Sequence, residues 1–441
     1  MSSSTIAIII TVITMVLFFA NRLPMSIVAC IGSLAMGILI PEMSLSDIYS
    51  GFGGSSIIMV AGMCIVGDAL FQTGVAQKIG AKIAQTPLIN NERVFIVVIV
   101  IICTAMSAFL SNSGTIAMWM PIIASIAAGS QGKIRSKMVI FPAGTAAIVG
   151  GACTLVGSTS QNTANAILMG YHGYEEGMGI FDMSVVMVPV AVIQIIFWAT
   201  LGYTLLKKVL KPESPDFDRN NMFANPSYAD SESIPDVPAW KANLSVIVLV
   251  GCIALFILQG NAPFNSYFNI ANVALLGATI LFATGRIPLK KTLAELPWDV
   301  LICVGAVSGI GTGLDVSGGG EVIANFVLNL FGGSSASLVV LTVVITVLSS
   351  VLTLFMQNIS VASILTPICI SMALSLGISP LPWVIVIAIG TNMAIATPIG
   401  TAVNMQILPA GYAFKDFLKI GGPLFVILVA CVCVLSCVLL F

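Results

Sequence analysis

Side-chain amides and hydroxyls recur at matching positions inside two long apolar stretches of this chain. Ser107 precedes Asn112 by five positions, and 246 residues further on Thr353 precedes Asn358 by the same spacing. Hydroxyl and amide oxygens are hard ligands of the kind that hard cations bind. An Asn in apolar surroundings is costly unless it has a partner. The repeated position therefore indicates a binding role for both amides.

A second duplicated pattern follows each of these stretches. Gly157-Ser-Thr-Ser-Gln161 in the first half parallels Gly400-Thr-Ala-Val-Asn404 in the second. Both fall about midway through otherwise helical segments, so each predicts a break in a helix. A broken helix exposes backbone N–H groups and the positive end of a half-helix, which suit an anion. Its unwound carbonyl groups suit a cation such as Na⁺.

Tight helix packing is the alternative explanation, because small residues let helices approach closely. Packing explains any single Ser or Gly, but it does not explain two patterns that each occur twice. The broken segments contain no Arg, Lys or His, so a bound anion would need bound cations for its positive charge. We interpret Asp68 and Asp315 as interfacial or capping residues, and the sequence gives little support to a proton relay.

The composition indicates what kind of element must hold these residues. Of the 441 residues, 58% are hydrophobic and 8% are charged, and the mean hydropathy is +1.07. A soluble globular protein carries roughly 25% charged residues. We therefore predict an all-α polytopic membrane protein, with the lipid bilayer as its surroundings. The formal net charge of −1 gives no reason to expect a nucleic-acid partner.

Enzyme motifs are absent from the sequence. There is no His-Glu-x-x-His, no Gly-x-Gly-Asp and no Ser–His pair within an apolar segment. The ten cysteines lie in apolar segments without a Cys/His ligand spacing, and buried cysteines usually act as small hydrophobic residues. We predict neither an enzyme nor an organic cofactor.

Each half of the chain predicts the same series of elements: three spans, a pair of apolar runs, an interrupted span and a final span. A membrane-spanning helix needs about 20 mostly apolar residues. In the first half the segments are 6–20, 25–40, 55–71, 94–110 paired with 116–128, 138–169 and 185–206. In the second half they are 244–259, 270–283, 300–314, 338–356 paired with 361–376, 382–408 and 422–441.

Basic residues in short loops predict the orientation, because they concentrate on the cytoplasmic side. Such residues flank the first pair of runs on both sides: Lys78, Lys82 and Arg93 before it, and Lys133, Arg135 and Lys137 after it. A pair that enters and leaves by the same face is a re-entrant hairpin. Further basic loops, including Arg286 and Lys290, give the second half the opposite orientation. We predict inverted repeats with one hairpin open to each face.

The predicted domain organisation follows from these segments. The first repeat covers 1–206, with scaffold helices in 1–90, the hairpin and broken helix in 92–170 and the last span at 184–206. A solvated cytoplasmic linker covers 207–241. The second repeat covers 242–441, with its hairpin at 338–377, its broken helix at 382–410 and its last span at 421–441. The glycine-rich segments Gly51–Gly54 and Gly318–Gly320 are expected to be loops.

The four motifs in this order resemble the divalent anion/sodium symporter family, a branch of the ion transporter superfamily. That family carries Ser-Asn-Thr at each hairpin tip and Gly-Thr-Pro-Pro-Asn-like breaks in the paired helices. The matching tips here are Ser111-Asn-Ser113 and Gln357-Asn-Ile359, and the breaks are those described above. The resemblance covers essentially the whole chain. It implies an elevator-type transporter that forms a homodimer and is located in the bacterial inner membrane.

The resemblance also implies a set of binding residues. One Na⁺ would be held by Ser107, Ser111, Asn112 and Gly157, and another by Thr353, Gln357, Asn358 and Gly400. A small divalent anion would contact Ser111, Asn112, Ser113, Asn358, Ile359, Ser158, Thr159 and Thr401. Two departures from the family pattern, Gln357 and Ile359, argue against symmetric binding of two carboxylates and leave sulfate open as the anion.

We therefore predict a secondary active transporter that couples Na⁺ to a small divalent anion, a dicarboxylate such as succinate or sulfate. A sodium-independent dicarboxylate exchanger on the same fold is the alternative. A channel-like protein or a component of an oxyanion-efflux system is a third hypothesis. The sequence does not select the anion, the ion stoichiometry or the direction of transport.

Overall fold

The computed structural model describes residues 2–20, 22–75, 82, 86, 90–214, 217–218, 221–224, 238–258, 267–285, 288–330, 337–398 and 400–441. Helices dominate these segments, and six of them are long and apolar enough to cross a membrane. The predicted all-α membrane architecture is confirmed. Lys78, Arg286 and about half of the linker lie outside the described residues.

The first half contains eight helices that we number in chain order. They are α1 (Ser3–Ala20), α2 (Met25–Leu39), α3 (Ser55–Gln72), α4 (Glu92–Ser107), α5 (Asn112–Gly129), α6 (Ser136–Gly151), α7 (Thr159–Met169) and α8 (Ser184–Leu210). Each predicted apolar segment of this half is helical.

The second half contains nine numbered helices. They are α9 (Ala239–Leu258), α10 (Ile270–Ala283), α11 (Trp298–Val316), α12 (Gly319–Leu330), α13 (Leu338–Leu352), α14 (Asn358–Ser375), α15 (Leu381–Gly390), α16 (Ala402–Ile407) and α17 (Phe414–Leu439). A short helix, Leu289–Glu295, precedes α11.

The first hairpin consists of α4 and α5, and its two ends meet. The Asn91 side chain caps α4 by accepting hydrogen bonds from the backbone of Arg93 and Val94. At the same end, Arg135 donates side-chain hydrogen bonds to both carboxylate oxygens of Glu92, at 3.1 Å each. These bonds raise the pKa of Arg135, so the guanidinium stays charged. The polypeptide therefore enters and leaves this hairpin at one place, as the basic flanks predicted.

The breaks separate α6 from α7 and α15 from α16. Ser158 and Gln161 form a capping box that starts α7, with the Ser158 backbone N–H donating to Gln161 Oε1 at 2.9 Å. Such a box satisfies backbone donors that a helix start leaves free. Thr401 occupies the corresponding cap position before α16. Both helix breaks thus lie where the duplicated Gly-Ser/Thr patterns predicted them.

Equivalent helices pair crosswise between the halves. Helix α2 packs on α11, and α3 packs on α10, so the second span of each half contacts the third span of the other. The final spans α8 and α17 also pack on each other. An exchange of partners of this kind is what a pseudo-two-fold axis between inverted repeats produces.

The structure corrects three expectations about segments outside the hairpins and broken helices. The two glycine-rich segments are not simple loops, because Gly51–Gly53 form a short 3-10 helix and α12 begins at Gly319. The last span of the first half runs to Leu210, four residues into the predicted linker. The linker is also not wholly solvated: Phe217 is buried, and its carbonyl accepts a hydrogen bond from Lys137 Nζ at 3.0 Å.

Candidate functional site

Both hairpin tips and both helix breaks line one cavity of about 520 Å³. The structure brings to its wall all eight residues predicted to contact an anion: Ser111, Asn112, Ser113, Ser158, Thr159, Asn358, Ile359 and Thr401. These residues come from helices up to 290 positions apart in the chain. The remaining wall includes Met25 from α2, Met59 and Met63 from α3, and residues next to the start of α11.

Oxygen atoms cluster behind the first hairpin tip. On one side of the Asn112 amide lie Ser107 Oγ at 2.8 Å, the Gly157 carbonyl oxygen at 3.0 Å and the Ala147 carbonyl oxygen at 3.2 Å. With its nitrogen on that side, the amide donates to them. With its oxygen on that side, four oxygens meet, and a cation among them would offset their repulsion. The donor set, with hydroxyl, amide and carbonyl oxygens, fits a hard monovalent cation such as Na⁺.

The second hairpin tip repeats this arrangement. Thr353 Oγ1 lies 2.8 Å from Asn358 Oδ1 and 2.8 Å from the Thr391 carbonyl oxygen. In the first half, Ser107 Oγ lies 2.8 Å from Asn112 Oδ1 and 2.7 Å from the Ala147 carbonyl oxygen. The Ser/Thr-Asn spacing in the sequence thus corresponds to the same side-chain contact in both halves of the fold.

The two break glycines are required by close backbone approach. A Cβ atom at Gly157 would lie 2.6 Å from the Ser107 carbonyl oxygen and 2.5 Å from that of Gly151. At Gly400 it would lie 2.2 Å from the Thr353 carbonyl oxygen. These distances are far below ordinary contact, so only glycine fits. Gly157 and Gly400, two of the predicted sodium ligands, therefore contact Ser107 and Thr353 through their backbones.

Side-chain hydrogen bonds hold each break against its hairpin tip. Thr154 donates to the Ala108 carbonyl, and Thr397 donates to the Leu354 carbonyl at 2.5 Å. Across the breaks themselves, Gln161 Nε2 donates to the Gly151 carbonyl at 3.0 Å and Asn404 Nδ2 donates to the Ala394 carbonyl at 2.6 Å. These bonds satisfy carbonyls that the interrupted helices would otherwise leave buried without a partner.

Several helix starts converge on the cavity. The first residues of α5, α7, α14 and α16 all line it. The N-terminal end of a helix carries a partial positive charge and free N–H groups, which favour an anion. Among the described residues of the wall there is no Arg, Lys or His. Backbone groups and bound cations are therefore the sources of positive potential that this cavity offers.

One carboxylate lines the cavity, and its position was not anticipated. Asp68 lies in the last turn of α3 on the cavity wall, where Gln72 Nε2 donates a hydrogen bond to its Oδ2. Asp68 therefore lines the cavity near the end of its span, and its interfacial or capping role stays a prediction. The sequence shows it near the end of a span, but it does not show which way that span faces.

A buried polar link between the two broken helices was also missed. Ser160 Oγ lies 3.1 Å from Thr391 Oγ1 and accepts a hydrogen bond from Asn392 Nδ2 at 3.2 Å. All three residues have no exposed side-chain surface. Thr391 is also the residue whose carbonyl contacts Thr353, so this link joins the oxygen cluster of one repeat to the break of the other. Adjacent polar residues in each apolar segment were the available signal.

Comparison with known proteins identifies the family. A family model described as "Citrate transporter", CitMHS, matches residues 15–359 and 253–441. The chain belongs to this family. The family and its relatives are transporters and not enzymes, and the chain is accordingly an integral membrane secondary transporter. The resemblance to divalent anion/sodium symporters, first seen in the four motifs, is confirmed.

Individual relatives of this CitMHS family member span much of its length. The uncharacterized transporter YfbS of Escherichia coli is 20% identical, over 97% of this chain and 98% of the relative. The sodium-dependent dicarboxylate transporter SdcS of Staphylococcus saprophyticus is 23% identical, over 85% of this chain and 74% of the relative. Sodium/sulfate cotransporter 1 of Chlamydomonas reinhardtii is 24% identical, over 45% of this chain and 23% of the relative.

A solved structure shares the fold. The MtrF transporter of Neisseria gonorrhoeae superimposes with a TM-score of 0.62 over 90% of this chain and 83% of that chain, at 12% sequence identity. At this identity the likeness concerns the arrangement of helices alone.

Proposed function

We propose that this CitMHS family member symports a small divalent anion with Na⁺. One observation carries the proposal: helix starts from both repeats converge on a single cavity whose wall, among the described residues, has no cationic side chain. Helix ends alone contribute modestly, about 0.3–1 kcal/mol each at exposed sites. A dianion in this cavity therefore needs bound cations, and coupling to Na⁺ follows from that need.

The two oxygen clusters are the proposed cation sites. Ser107, Ser111, Asn112 and Gly157 would hold one Na⁺, and Thr353, Gln357, Asn358 and Gly400 another. The contact of Ser107 with Asn112 and that of Thr353 with Asn358 have the same 2.8 Å distance, which supports equal roles. Two or more sodium ions would neutralise the dianion and would be its only cofactors.

The anion would contact the eight wall residues predicted from the sequence. A dicarboxylate such as succinate and the sulfate ion are both candidates. One relative is named a sodium-dependent dicarboxylate transporter and another a sodium/sulfate cotransporter, which supports this range of substrates. Neither name selects between the two anions for this chain.

Alternating access would expose the cavity first to one side of the membrane and then to the other. In the elevator form of this cycle, the hairpins and broken helices (92–170 and 338–410) slide against scaffold helices. The contact of α7 with α11 would then be a sliding surface. We further propose a homodimer in a bacterial inner membrane, with scaffold helices at the dimer interface.

Transport by purified protein in proteoliposomes tests the proposal. Labelled succinate, citrate, sulfate and phosphate would each be offered with an inward Na⁺ gradient and with choline in place of Na⁺. We expect at least one dianion to accumulate only in the presence of Na⁺. Equal counterflow without Na⁺ would instead support an exchanger, and discrete single-channel currents would support a channel.

A further inference from the structure

The cavity has two related halves, and hydrogen bonds show which residues correspond. The hairpin tips match at an offset of 246 residues, as Asn112 does with Asn358. The breaks match at an offset of 243, because the bond from Gln161 to Gly151 recurs between Asn404 and Ala394. Each wall residue that belongs to a tip or a break therefore has a defined counterpart in the other half.

In three of these pairs the residue of the first half is polar and the residue of the second half is apolar. The first half presents Ser113, Thr159 and Asn162, and the second half presents Ile359, Ala402 and Met405 in their places. All six residues line the cavity. Three other pairs are polar in both halves: Ser111 with Gln357, Asn112 with Asn358 and Ser158 with Thr401. The cavity wall is thus more polar on the side of the first repeat, and Ile359, Ala402 and Met405 form an apolar side on the second repeat.

Neighbouring residues extend the apolar side. Met25 lines the cavity and touches the second hairpin, where Ser360 Oγ lies 3.5 Å from its sulfur atom. Methionine is flexible and polarisable, so it packs against apolar groups of varied shape. The volume of about 520 Å³ is in the range of sites that hold organic ligands, about 300–1,000 Å³. A bare inorganic anion would leave much of this space to water.

From this asymmetry we infer that the cargo binds in one orientation and belongs to a defined class: an anion with a single charged head and an apolar body. The head lies against the first tip and first break, and the body lies against Ile359, Ala402 and Met405. A second charged head on the side of the second repeat would gain fewer side-chain donors in exchange for its hydration, because Ile359, Ala402 and Met405 replace Ser113, Thr159 and Asn162 there. This inference rests on the proposed sodium-coupled uptake of a dianion and, within that class, favours a doubly charged head with an apolar body over succinate and sulfate.

A matched pair of ligands tests the inference. Propylphosphonate and 3-phosphonopropionate share the phosphonate head and chain length, and differ in a terminal methyl group against a carboxylate. Binding to the purified protein would be measured by calorimetry in NaCl, at a pH where the phosphonate is doubly ionised. We expect propylphosphonate to bind at least about tenfold more tightly, because the carboxylate would be dehydrated against apolar side chains.

Variants then exchange the polarity of the second half. In the triple variant Ile359→Ser/Ala402→Thr/Met405→Asn, the preference should shift toward 3-phosphonopropionate by at least about tenfold. If the triple variant does not fold, Met405→Asn alone should shift the preference in the same direction, because this side chain is half exposed. Val300→Asn is the control, because it adds the same amide to the cavity wall outside the three pairs.

The possible results separate the two claims. Equal binding of both ligands by the wild type, or an unchanged preference in the Met405→Asn variant, would overturn the inference while leaving sodium coupling intact. The same shift in Val300→Asn would also overturn it, because position would then not matter. Failure of every anion to bind in NaCl, or equal binding in choline chloride, would instead count against the proposed function.

Discussion

The tight contact at Gly157 allows a quantitative prediction for Gly157→Ala. The added methyl carbon would lie 2.6 Å from the Ser107 carbonyl oxygen, whereas ordinary contact begins at 3.4 Å. Because the Gly151 carbonyl oxygen would also lie only 2.5 Å away, the backbone at the break must shift by about 0.8–0.9 Å relative to both groups, and overpacking of this kind costs about 1–3 kcal/mol. Because the moved groups are proposed Na⁺ ligands, most of this cost should appear as weaker sodium binding.

The expected effect is a rise of about 5- to 150-fold in the Na⁺ concentration that gives half-maximal uptake, since 1.4 kcal/mol corresponds to a tenfold change. Sodium activation of anion uptake in proteoliposomes measures it. Gly400→Ala should behave alike, because its Cβ would lie 2.2 Å from the Thr353 carbonyl oxygen.

Gly251→Ala is the matched control, because nothing lies within 4 Å of the Cβ position at this helical glycine. Its sodium activation should equal that of the wild type. If Gly157→Ala shows the same activation curve as Gly251→Ala and the same thermal stability, the proposed contact between the break and a cation site is refuted.

Three further predictions concern single side chains. Asn112→Ala and Asn358→Ala should each abolish Na⁺-dependent uptake with unchanged thermal unfolding, because each removes the amide at the centre of an oxygen cluster. Glu92→Gln should lower the free energy of unfolding by about 1.5–3 kcal/mol, because it weakens charged hydrogen bonds to Arg135 at the hairpin base. Ser160→Ala should lower it by about 1–2 kcal/mol, since it removes the two hydrogen bonds that join Ser160 to Thr391 and Asn392 of the other repeat.

Exposed residues of the same type provide controls for these variants. Asn272→Ala and Glu176→Gln alter side chains that are exposed and outside the cavity. Both should leave uptake and unfolding unchanged. Sodium-dependent uptake that survives in either tip variant would contradict the assignment of that amide, and an unchanged unfolding midpoint in Glu92→Gln would contradict the role of the hairpin base.

The duplicated motifs made the centre of this site predictable. Asn112 and Asn358 stood out because a side-chain amide in an apolar segment is energetically unfavourable. Its occurrence at the equivalent position of both repeats indicates a functional role. Gly157 and Gly400 stood out for a related reason, since a glycine in mid-helix weakens the helix unless the backbone must come close to another group.

The rest of the wall could not be predicted, because its residues have no distinctive type. Met25, Met59 and Met63 occur in apolar spans in which a residue facing lipid and a residue facing a cavity look the same. The direction in which Asp68 points depends on how α3 packs on α10, a contact between segments about 200 residues apart. Pairwise packing of this kind is set by the tertiary fold and not by local sequence.

The crosswise pairing of α2 with α11 and of α3 with α10 has a consequence for biogenesis. When the ribosome has made only the first repeat, α2 and α3 have inserted into the bilayer without α11 and α10, the helices that they will finally contact. The surfaces by which α2 and α3 later contact α11 and α10 must then be shielded by lipid or by an insertion chaperone until the second repeat emerges. Two separately expressed halves should accordingly be degraded when produced alone and should accumulate when produced in the same cell.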